Sequence, residues 1–234
     1  MTRKRIAAAA IALCSMSSVA GFAGTAPTPY ASMAPAAQYM MASPEKEIAL
    51  ARSAAPPSIS ANAEILVLGM HGYETAVKGK NGFVCLVERS WDSDFKDPVF
   101  WNPTVRGADC LNPEAARTVL PHFRERASWA LAGLSRSDMM ERTRKEISAN
   151  GYSLPGPGAM AFMLSKEQHL TDQNTHWHPH LMFFVANVQE ATWGANATGS
   201  PVMTGVSGSD PITTFVVPVG KWSDGTADDK SPMK

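Results

Sequence analysis

The sequence predicts an α+β domain, a mainly antiparallel sheet with a central two-helix segment packed on one face. Three observations carry that expectation. Apolar runs of strand length stand at both ends of the region 60–222, capped helical patterns fill its middle, and Gly, Pro and Asn turn signals separate the runs. Strands, then helices, then strands is the order that places helices on one face of an antiparallel sheet.

Taken in order, Arg3, Lys4 and Arg5 make a positive start, and the apolar run 6–14 is shorter than the roughly 20 residues that span a bilayer. Ser18-Val19-Ala20 and Gly21-Phe22-Ala23 then offer small-residue cleavage sites. This is the order of a secretory signal peptide, assigned to 1–23; a retained anchor is the alternative. Lys4 separates the two arginines that twin-arginine export would want adjacent, and Leu13 stands where lipid attachment at Cys14 would want a small residue. The expected location is therefore the periplasm or the exterior, with no transmembrane anchor once the signal is gone.

The cysteines agree with export. Cys14 leaves with the signal, so Cys85 and Cys110 remain as a pair that reads as a disulfide, or else as two separate buried thiols. Neither lies in the C-x-x-C spacing of a thiolate metal site. Without the signal, 18 Lys and Arg face 21 Asp and Glu, a formal charge of −3, and no basic stripe marks a nucleic-acid partner.

The stretch 24–59 is rich in Ala, Pro and Ser and reads as a linker. One short helix is expected within it, with Ser43 as N-cap, Pro44 at the first position, and Glu45 and Glu47 at the positive end. Tyr30, Met33, Tyr39, Met40 and Met41 make this linker sticky enough to lie on a domain surface. The globular domain is assigned to 60–222, an ordinary single-domain size, with 223–234 as a flexible tail. Strands are expected over 63–69, 83–88, 159–164, 181–186 and 213–219, with a short one over 73–77, and 97–112 reads as a Pro-rich loop. Asn112-Pro113-Glu114 opens the helical segment, Pro121 kinks or restarts it, and a second helix runs from Ser135 to the Asn150-Gly151 stop.

Chemistry concentrates in one place. Four of the six histidines, His169, His176, His178 and His180, fall within twelve residues, where composition alone expects roughly a third of one. In an extended segment residues two apart share a face, which aligns His176, His178, His180 and Met182. A hairpin across 171–175 would bring His169 towards them. Imidazoles suit zinc and copper, a thioether favours copper(I), and three neutral imidazoles with an open position are a catalytic-zinc pattern. A copper or zinc binding module is thus one reading. A metal-assisted hydrolase with Glu167 or Asp172 as general base is a second. The third is an interaction domain with an envelope partner, in which the histidines are ordinary surface or loop residues; Pro179 favours it by breaking regular pairing. The G-x-S-x-G elbow, the Walker loop and the dinucleotide fingerprint are all missing, so no nucleotide cofactor is expected.

The runs Asn81-Gly82-Phe83-Val84-Cys85-Leu86-Val87-Glu88-Arg89 and Trp177-His178-Pro179-His180-Leu181-Met182-Phe183-Phe184 resemble segments of uncharacterised exported bacterial proteins. The resemblance spans about 58–219. It implies secretion and a shared fold, and brings no activity or catalytic residues.

Overall fold

The computed structural model describes residues 30–149, 151, 153–172, 177–186, 188–204 and 212–229, so the expected signal peptide and His176 lie outside the described residues. Ser43 caps helix α1 (Pro44–Arg52) by accepting from the Lys46 N–H at 3.4 Å, with Pro44 and both acids in the first turn. A single turn, α2 (Pro57–Ser60), follows, and then three strands, β1 (Glu64–Gly69), β2 (Gly72–Val77) and β3 (Val84–Glu88). Gly72 takes φ +134° at the β1–β2 hairpin, a conformation L side chains rarely adopt. After β4 (Gly107–Leu111) come helices α3 (Pro113–Thr118), α4 (Leu120–Leu131) and α5 (Arg136–Ser148). Strands β5 (Met160–Met163), β6 (His180–Ala186), β7 (Met203–Thr204) and β8 (Ile212–Pro218) complete the described fold.

These strands form one sheet in the order β2-β1-β3-β4-β5-β6-β8-β7, antiparallel throughout except between β1 and β3. The fold class is therefore α+β with a mostly antiparallel sheet. The expected two-helix segment is three helices. Pro121, at the second position of α4, lacks an amide hydrogen to donate, and the chain restarts there instead of continuing α3.

Two further readings are corrected. The end of the supposed 97–112 loop is β4, paired with β3 so that Cys110 lies directly opposite Cys85, and the two form a disulfide. The bridge therefore fastens two neighbouring strands and does not pin a loop. The supposed linker is also part of the packed unit from Tyr30 onwards. Tyr39 is fully buried, its hydroxyl donates to the Trp101 carbonyl at 2.8 Å, and its ring lies 4.6 Å from that of Trp91. In α1, Glu47 pairs with Arg89 at 2.8 Å inside the protein and accepts from the Leu68 N–H at 3.1 Å. Arg89 also donates through Nε to the Tyr39 carbonyl at 2.7 Å and through Nη1 to that of Val87. Alanine-rich composition reads as linker, yet small side chains are what let α1 approach the sheet closely.

The sheet is covered on both faces. Alternate residues Cys85, Val87, Ala108 and Cys110, with Ile65, meet Leu50 and Ala51 of α1 and the following Ala54 and Ala55. The intervening Val84, Leu86 and Leu111, with Leu66 and Leu68, join Phe123, Ala127 and Ala130 of α4, Met139 of α5, and the aromatic group Trp91, Phe95, Phe100 and Trp101. Each large side chain buried there contributes roughly 1.5–3 kcal/mol.

Candidate functional site

On the face covered by α4 and α5, the sheet and α4 do not close completely. Between them lies a cavity of about 310 Å³. Its sheet wall follows strand alternation: Met163 from β5, His180, Met182 and Phe184 from β6, and Ile212, Thr214 and Val216 from β8. Cross-strand register stacks these side chains, since Met163 pairs with His180, Met182 with Val216, and Phe184 with Thr214. Val119, His122, Phe123 and Arg126, spaced along one face at the start of α4, form the opposite wall.

One end of this apolar space is acidic. Glu88 ends β3, and the chain turns at once into the 3-10 segment Ser90–Asp92, so Glu88, Ser90 and Asp92 all line the cavity. Asp109 of β4 sits on the same sheet face as Glu88 and is fully buried behind it. Burial pushes the Asp109 carboxyl up to about 7; the Glu88 hydrogen bond opposes this, and the charge of Asp92 adds to it. Burial raises Asp92 to about 6, against the Arg89 N–H and the charge of Arg126. Glu88 is held well above the usual carboxylate range, first by burial and then by the charge of Asp109. Burial and mutual repulsion thus work against the ionisation of all three carboxyls at once.

The cationic side is limited. Arg126 Nη1 donates to the carbonyls of Ser93 at 3.0 Å and Asp92 at 3.4 Å, and its guanidinium lies 4.3 Å over the Phe95 ring. Several polar atoms around the cavity find no hydrogen-bond partner among the described residues: Ser90 Oγ, Asp92 Oδ1 and Trp177 Nε1. Asp92 Oδ2, by contrast, accepts from the Arg89 N–H at 3.0 Å and the Tyr73 hydroxyl at 3.2 Å.

The histidines expected to act together are distributed. His180 is in the cavity wall, and its Nδ1 lies 2.8 Å from the His178 carbonyl. That contact makes Nδ1 the protonated nitrogen and leaves Nε2 as the acceptor. Burial also lowers the His180 pKa, which favours the neutral ring. Met182 follows on the same face, as alternation predicts. His178 points elsewhere, with Nδ1 paired to Asp228. His169 lies in a bridge with Arg106, and its Nε2 is 3.3 Å from Asp172. Asp172 also accepts from Tyr30, from Asn102 at 3.1 Å and from Thr104 at 3.1 Å. These bonds, Tyr30's foremost, hold its carboxyl well below the ordinary value, which makes it a weak base. Glu167 is exposed. Among the described residues, no three His, Cys, Asp or Glu side chains form a group suited to a metal ion.

Sequence reading passed over Glu88, Ser90, Asp92, Asp109 and Arg126. One signal was present. Asp109 stands between Ala108 and Cys110 in a short apolar run, where an acid is costly unless it has a role. Comparisons with protein-family models, with curated proteins and with solved structures find no match to this chain. Among the described residues, no helix is long and apolar enough to cross a membrane.

Proposed function

We propose that this is an exported small-molecule binding protein whose site is the cavity between the sheet and α4. The observation that carries the reading is the pairing of an apolar-walled space of about 310 Å³ with Ser90 Oγ, Asp92 Oδ1 and Trp177 Nε1, which lack partners among the described residues. Ligand pockets have this composition, mostly apolar with a few convergent polar groups and shifted pKa values. The Cys85–Cys110 disulfide supports an oxidising compartment. Thermal-shift screening of uncharged and charged aromatic fragments against the full chain tests the reading. Hits that stabilise the protein and vanish in Thr214→Trp, which fills the cavity from β8, are expected. Hits that survive the filled cavity would overturn it.

A second reading, a copper or zinc site, rests on His180 and Met182. The His178 carbonyl orients the His180 ring so that Nε2 remains as a ligand, and Met182 adds a soft donor on the same face. His178 and His169 are held instead by Asp228 and Asp172, so His176 is the remaining histidine that this reading calls on. Metal content of the purified chain beside the His176→Ala/His178→Ala/His180→Ala variant decides it: stoichiometric metal lost in the variant supports the site, and none in either protein removes it.

A further inference from the structure

We propose that the cavity takes a small organic monocation, its ammonium held by Glu88, Asp92 and the Ser90 hydroxyl and its apolar body against Phe123, Met182 and Val216. This rests on the cavity's being a binding site, and it names the class of ligand. The first argument is charge. Glu88 and Asp92 line the cavity with Asp109 directly behind, and none of the three forms an ion pair among the described residues. The neighbouring Arg89 balances them only in part, because its guanidinium is ion-paired with Glu47 and its Nε is held by the Tyr39 carbonyl. Arg126 remains, with Nη1 on two backbone carbonyls. Three carboxyls beside one such guanidinium leave this end of the cavity electronegative, and a bound cation offsets the cost of ionising them.

The second argument is hydrogen bonding. Ser90 is 1% exposed and its Oγ has no partner among the described residues, while Asp92 Oδ1 is likewise enclosed without one among them. Both accept hydrogen bonds, as an ammonium requires of its surroundings. An anion would meet carboxylates here, and a neutral alcohol would satisfy the acceptors without neutralising charge. Charge-assisted hydrogen bonds are roughly twice as strong as neutral ones. Selectivity for an amine over the matching alcohol is therefore expected on the order of tenfold, about 1.4 kcal/mol.

The test is calorimetric titration of the full chain at pH 8 with 2-phenylethylamine, 2-phenylethanol and 3-phenylpropanoate. The expected result is amine at least about tenfold tighter than alcohol, with no carboxylate binding. Glu88→Gln should reduce the amine's advantage to about twofold or less, and Ser90→Ala should weaken the amine by a smaller factor. Thr214→Trp should abolish both. Equal binding of amine and alcohol, lost in Thr214→Trp, would overturn the cation assignment and leave the cavity a binding site. Preferred binding of the carboxylate would also overturn it. Binding of all three probes unchanged by Thr214→Trp would instead show that the cavity is not the site, and both readings would fall.

Discussion

The two faces of β3 and β4 are built from the same ten residues and could hardly differ more. Cys85, Val87, Ala108 and Cys110 point one way, into small and apolar packing under α1, fastened by the disulfide. One residue along, Leu86, Glu88, Asp109 and Leu111 point the other way, and two of these four are carboxylic acids, Glu88 lining a cavity and Asp109 buried behind it. The first face is a buried apolar cluster. The second carries groups that cost stability. Because strand side chains alternate, a single pair of strands can hold both. The secured face offsets the expense of the functional one.

That contrast gives three experiments of decreasing expected effect. The link between the layers comes first. Glu47→Ala leaves Arg89 charged and buried without its partner, and a loss of about 3–5 kcal/mol is expected in urea unfolding. A loss below about 1 kcal/mol would mean that Arg89 finds water or another carboxylate. Next is the closed face. Cys85→Ala/Cys110→Ala opens a loop with a sequence separation of 25 residues, and a loss of about 3–4 kcal/mol follows from unfolded-state entropy. The acidic face comes last and has the opposite sign. Asp109 has a folded pKa of about 7, raised above its ordinary value by burial and by the charge of Asp92, against the Glu88 hydrogen bond. The stability tied to its protonated form is complete below the ordinary carboxylate range and is lost as pH rises through about 7. Asp109→Asn should therefore stabilise the protein at pH 8, by about 1–3 kcal/mol, and have little effect at pH 4. Paired melting curves at the two pH values check this, and equal shifts at both would contradict it.

Much of the fold was legible. Strand-like runs located six of the eight described strands, and the Ser43-Pro44 and Asn112-Pro113 caps located two helix starts. Local chemistry fixes such features, so local sequence reports them. What was missed depended on partners far along the chain. β4 is a strand because β3 and β5 flank it, and its own sequence, between Pro103 and Pro113, reads as loop. The N-terminal segment joins the core because Arg89, 50 residues from Tyr39, accommodates it. The site divides in the same way. His180 and Met182 share a face because they are two apart in a strand, and sequence shows that. Glu88, Asp92 and Asp109 meet only through strand pairing and a turn, and nothing in their spacing announces it.

Arg89 has one more consequence. Its guanidinium holds a carbonyl of the N-terminal segment, the carboxylate of α1 and a carbonyl of β3 at once. It works as a rivet through three plies, so no ply can peel away alone. Lifting α1 strands a charge, and loosening the segment at Tyr39 strands the same charge. Fraying at this end is thereby coupled to opening of the centre, and the N-terminal segment, α1 and β3 open together.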